Sequence, residues 1–96
     1  DDAAMRPITE VLESFSSDEV SFHALRTRQA GRRAFVSLHI LVPGSWTVQR
    51  GHDLAEQIEQ ALRDRLPYVT VFTHIEPAED PVSFADTTLD RADPQR

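Results

Sequence analysis

Met5, Ile8, Val11, Leu12 and Phe15 recur at three- and four-residue spacing, which predicts an amphipathic helix near the start of the chain. Pro7 fits its opening turn, where an N–H has no intrahelical partner, and Ser16-Ser17-Asp18 ends the run. The period then falls to two. Val20 and Phe22 alternate with Ser21 and His23 in a strand running toward Arg28, and Gln29-Ala30-Gly31-Arg32 reads as the tight turn of a hairpin. The second strand, Ala34 to Val42, sets Val36, Leu38, Ile40 and Val42 on one face and Phe35, Ser37, His39 and Leu41 on the other. Pro43-Gly44-Ser45 breaks it, with Ser45 a candidate helix cap. Leu54, Ile58, Ala61 and Leu62 form the stripe of a second helix, which Pro67 stops. A third strand follows to Pro77, with Val69, Val71 and Ile75 opposite His74 and Glu76.

The order α-β-β-α-β packs as two helices on one face of a small sheet, an α+β two-layer sandwich. The strand–helix–strand passage from Ala34 to Pro77 predicts a right-handed crossover between parallel neighbours. Helices take the apolar face, so His39, His74 and Glu76 are expected together on the open one. His23 belongs there too, although simple alternation also places Leu25 on that side. His52 falls near the start of the second helix, off its apolar stripe, within reach of a sheet edge or a second subunit.

Beyond Pro77 the pattern dissolves. The expected organisation is a single domain over residues 1–77 and an acidic, largely disordered tail over 78–96, with one segment around Phe84 docked. The chain opens on Asp1 rather than methionine, as a fragment of a longer protein would.

The chemistry sits in the histidines. There are four, at His23, His39, His52 and His74, and no cysteine, so disulfides and thiolate metal sites are excluded. Imidazole and carboxylate suit zinc and its first-row neighbours, and Glu76 in a bridging role would allow a binuclear site. A net charge of -6 and a pI near 5.0 argue against a nucleic-acid partner, while no stretch is apolar enough for a membrane span. All ten basic residues are arginine; Arg26, Arg28, Arg32 and Arg33 gather at the hairpin as a solvated rim or a surface for acidic groups elsewhere. Phe35, Leu41 and Phe72 would leave apolar area beside the histidines, which a two-fold homodimer would cover. An enzyme is not expected, because the chain has no lid-like insertion and little length for a substrate cleft. The alternative to metal binding is a metal-independent dimerisation module with incidental surface histidines.

Taken together, Phe22-His23-Ala24-Leu25-Arg26-Thr27-Arg28-Gln29-Ala30-Gly31, Phe35-Val36-Ser37-Leu38-His39, Gly51-His52-Asp53-Leu54-Ala55 and His74-Ile75-Glu76-Pro77 resemble the C-terminal cytoplasmic domain of cation diffusion facilitators. These are proton-coupled exporters of zinc and related divalent metals. The resemblance runs from about Pro7 to Pro77 and implies a ferredoxin-like, metallochaperone-like fold and a V-shaped homodimer. It also implies metal ligands at His23, His39, His52, His74 and Glu76, and a transmembrane partner region in the same transporter chain. That would put the domain at the cytoplasmic side of the cell (inner) membrane, where metal between two copies favours a transport-competent arrangement. Two positions depart from the family: Ala24 stands where an aspartate often follows the first histidine, and Glu76 where well-studied members carry aspartate. The transmembrane transport site has no counterpart here.

Overall fold

The structure is a computed structural model, described for the backbone of residues 2–79 and for side chains from Met5 to Glu79. The expected tail, including the segment around Phe84, lies outside the described residues from Asp80 onward. Two helices and three strands follow in the expected order: α1 (Asp2–Phe15), β1 (Ser21–Ala30), β2 (Arg33–Val42), α2 (Val48–Arg65) and β3 (Val69–Pro77). The sheet order is β1-β2-β3, with β1 antiparallel and β3 parallel to the central β2. This is the α+β two-layer arrangement, in which a hairpin supplies one edge strand and the α2 crossover returns the chain to the other.

Helix and sheet meet over Ile8, Val11 and Leu12 of α1, Val36, Leu38, Ile40 and Val42 of β2, Ala55, Ile58 and Leu62 of α2, and Val20 and Val69. An ion pair between Arg65 and Glu10 at 2.7 Å ties the two helices at their wet edges. Thr47, not Ser45, caps α2: its side chain accepts from Arg50 N at 3.0 Å. Both residues are good caps, and the extra two-residue turn after Pro43, closed by Trp46 N donating to Pro43 O, decides between them. Pro7 lies inside α1 rather than in its opening turn, because the helix starts at Asp2. Gly31, at φ +64, makes the first of two turn residues between Ala30 and Arg33, the position where a two-residue hairpin favours glycine.

Between His23 and Arg26 the register slips. His23 pairs with His39 and Arg26 with Ser37, so Ala24 and Leu25 oppose the single residue Leu38. This β-bulge reverses the alternation along β1. Leu25 therefore packs against the core rather than beside His23, and Arg26 and Arg28 join the open face opposite Ser37 and Phe35. Ala24 carries the turn at φ +57, a left-handed conformation that costs a residue with a Cβ about 1 kcal/mol. Ala24→Gly is accordingly expected to stabilise the domain by about 0.5–1 kcal/mol, raising the urea midpoint with no change in slope. A lower midpoint would mean that the Ala24 methyl, rather than backbone strain, dominates there.

Candidate metal centre

Three histidines stand in one row across the sheet, one per strand. His23 of β1 pairs with His39 of β2, which pairs with His74 of β3, and directly paired strand residues point to the same face. Glu76 follows His74 by two and so shares that face, opposite Leu41 of β2.

The carboxylate of Glu76 reaches back over the central strand. Its Oε2 lies 3.2 Å from His39 Nδ1 and its Oε1 3.6 Å from His23 Nε2. The two imidazoles meet at 3.2 Å, Nδ1 of His39 to Nε2 of His23. All three side chains are about four-fifths buried, at 16–21% exposure. His39 Nδ1 thus faces an imidazole nitrogen and a carboxylate oxygen at the same distance, and a single N–H there can serve only one of them. Glu76 Oε1 is buried without a hydrogen-bond partner among the described residues. Buried polar atoms are normally satisfied, so an orphan oxygen 3.6 Å from the His23 imidazole, on a carboxylate whose other oxygen meets His39, marks a place where a cation fits.

Spacing agrees with that chemistry. Ligand atoms about 2.0–2.1 Å from a tetrahedral zinc lie about 3.3 Å from one another. The two imidazole nitrogens, 3.2 Å apart, are close to such an edge, and each has one oxygen of the Glu76 carboxylate within 3.6 Å, Oε2 for His39 and Oε1 for His23; taking one donor atom from each residue, all three lie within 4.8 Å of one another. Two nitrogens and one oxygen form a donor set suited to zinc or a first-row neighbour, and three protein ligands leave a fourth position for water or another chain.

The remaining candidates stand apart from this trio. The His74 ring stacks on His39 at 5.3 Å between centroids with the planes 17° apart, but it is exposed and not one of the converging donors. His52 lies exposed on α2 and joins no metal-ligating group among the described residues. The open face is also less apolar than alternation suggested. Leu41 is buried, the Arg28 guanidinium covers the Phe35 ring at 4.5 Å, and Phe72 stays 57% exposed. Sequence reasoning left Arg26 and Arg28 unassigned to either face, since nothing local in Ala24-Leu25 announces the bulge. Trp46 is packed on the core with Arg50 stacked 3.7 Å above it, whereas Tyr68 remains 69% exposed.

Comparison with known proteins returns a consistent set. A family model described as cation efflux protein, cytoplasmic domain, matches residues 1–78. An uncharacterised transporter of Synechocystis sp. is 51% identical over 82 residues, covering 85% of this chain but 26% of that protein. The chain therefore spans about a quarter of that relative's length. Among solved structures, the metal-bound C-terminal domain of the CzcD transporter from Thermotoga maritima is 28% identical with a TM-score of 0.73, over 82% of this chain and 92% of that one. The Zn form of CzrB is 30% identical with a TM-score of 0.70, over 79% and 85% of the two chains.

Proposed function

The chain belongs to the family of cytoplasmic domains of cation efflux proteins, the cation diffusion facilitators, and from that premise we propose that it is the metal-responsive dimerisation domain of a divalent-cation exporter. The observation that carries this reading is the convergence of His23 Nε2, His39 Nδ1 and the Glu76 carboxylate, with an unsatisfied buried oxygen among them. These three residues hold the ion, zinc or a related first-row metal. His74, outermost in the row, and His52, on the neighbouring helix, are the donors available to a second ion or to a second copy. The reading gives the domain no catalytic step. Its partners are a second copy and the transmembrane part of the same transporter, at the cytoplasmic face of the membrane. No described helix is long and apolar enough to cross a membrane.

The proposed mechanism is charge neutralisation at a seam. Each copy carries a net charge of -6, so two copies side by side repel. Divalent ions between them remove that repulsion and add directional bonds. Such an ion shifts an open-to-closed equilibrium only by its difference in affinity for the two arrangements, and that same coupling is what a proton-driven exporter would use to sense cytoplasmic metal. Exposed Phe72 on the open face supplies apolar area for the contact. Small-angle scattering of the domain with and without zinc tests the switch. A smaller radius of gyration for the zinc-loaded dimer is expected; identical dimensions at saturating zinc would contradict it.

A further inference from the structure

Charge is segregated along this chain. No aspartate or glutamate occurs between Glu19 and Asp53, and the β1–β2 hairpin inside that stretch carries Arg26, Arg28, Arg32 and Arg33, against a net charge of -6 for the whole chain. All four arginines are exposed. The bulge at Ala24-Leu25 sets Arg26 and Arg28 on the open face, opposite Ser37 and Phe35. Arg33 shares that face because it alternates with Phe35 along β2, and Arg32 stands beside it in the turn. Among the described residues Arg28, Arg32 and Arg33 enter no ion pair.

Two large aromatic side chains lie at the same end of the sheet. Tyr68, 69% exposed, is held beside the hairpin by Ala34 N, which donates to its carbonyl at 3.1 Å. Phe72, 57% exposed, pairs with Ser37. A groove of about 380 Å³ lined by Arg26, Arg28, Phe35, Ser37 and Phe72 joins the cations to the aromatic edge. Arg33 precedes His39 by six residues on β2, roughly 20 Å at the rise of a strand, so this patch is separate from the histidine row.

We infer that this end of the sheet is a membrane-docking surface, with the four hairpin arginines on anionic phospholipid headgroups and Tyr68 and Phe72 at the headgroup level. Arginine beside exposed aromatic rings is the composition that settles at a lipid interface. Positive charge spread over both strands and the turn, rather than gathered in a cleft, favours an extended anionic surface over a single acidic peptide. The net negative charge does not oppose docking, because physiological salt screens carboxylates more than about 8 Å from the rim. The inference rests on the reading that places the domain at the cytoplasmic face of a membrane.

Sedimentation of the 96-residue chain with lipid vesicles tests it. Binding to vesicles of phosphatidylglycerol and phosphatidylcholine, and not to phosphatidylcholine alone, is expected, and it should weaken as salt rises. Each arginine near an anionic surface is worth about fivefold in partitioning, so R32E/R33E should lower binding about thirtyfold or more, while R32K/R33K should retain it. Far-ultraviolet dichroism and zinc affinity are expected to be the same in both variants, so the lipid surface and the metal site can fail independently. No binding to phosphatidylglycerol vesicles, equal binding to both vesicle types, or undiminished binding of R32E/R33E would overturn the assignment. Binding of a polyglutamate peptide in place of vesicles would also overturn it, by giving the patch to an acidic protein segment.

Discussion

Replacing His39 with alanine is expected to remove most of the zinc-dependent stabilisation while leaving the fold intact. His39 sits at the centre of the row: its Nδ1 lies 3.2 Å from both His23 Nε2 and Glu76 Oε2, and its ring carries His74. Loss of outer groups around a metal already costs about 10–100-fold in affinity, so loss of a ligand among three is worth about a hundredfold or more. At zinc a hundred times its dissociation constant, the unsubstituted domain gains about 2.7 kcal/mol. That corresponds to a rise in Tm of about 10–20 °C for a domain of this size. A hundredfold weaker site at the same zinc concentration gains only about 0.4 kcal/mol, a shift of a few degrees. His39 lies on the open face outside the core cluster, so the substitution should change Tm little without metal. Scanning calorimetry of both proteins with and without zinc measures this. Equal zinc-induced rises would remove the trio from the account.

Leu62→Ala should do the reverse, weakening the fold without touching the site. Leu62 is fully buried on the core-facing stripe of α2, with Ile58, Ile8 and Leu38 in the same cluster. Truncating a leucine in such a place costs about 2–5 kcal/mol, part from lost apolar burial and part from the cavity left behind. A domain of this length holds roughly 4–12 kcal/mol in all, so the variant keeps only a fraction of its stability. Its Tm should fall by more than about 10 °C. Zinc should still add the full increment, because the proposed ligands His23, His39 and Glu76 sit on the opposite face of the sheet. Urea unfolding with and without zinc checks both points, and a cost below about 1 kcal/mol would mean that helix and sheet pack more loosely than their burial implies.

These two substitutions also mark what was legible in the chain. The core face of β2, with Val36, Leu38, Ile40 and Val42, and the stripe of α2 follow from periodicity alone, because one face of each element is dry. Parity likewise puts His39, His74 and Glu76 on the other face. What parity lacks is distance: that Glu76 spans the central strand to meet His23, while His74 stacks outward, depends on side-chain directions set by strand pairing. The bulge at Ala24-Leu25 was hidden for a related reason. It is a property of how β1 meets β2, and alanine carries none of glycine's signal for a positive φ, so simple alternation put Leu25 beside His23. Pro7 and Ser45 were misplaced because helix ends are set by turns whose geometry tertiary contacts decide. The apolar open face was overdrawn for want of Arg28, whose placement over Phe35 follows from the same bulge.

Titration of zinc into the metal-free 96-residue chain by isothermal calorimetry, beside His39→Ala and Glu76→Ala, tests the central claim most directly. The account predicts saturable binding, micromolar or tighter, that collapses in both variants. Binding no tighter than millimolar, or binding that survives both substitutions, would contradict it and leave a dimerisation domain whose histidines are incidental.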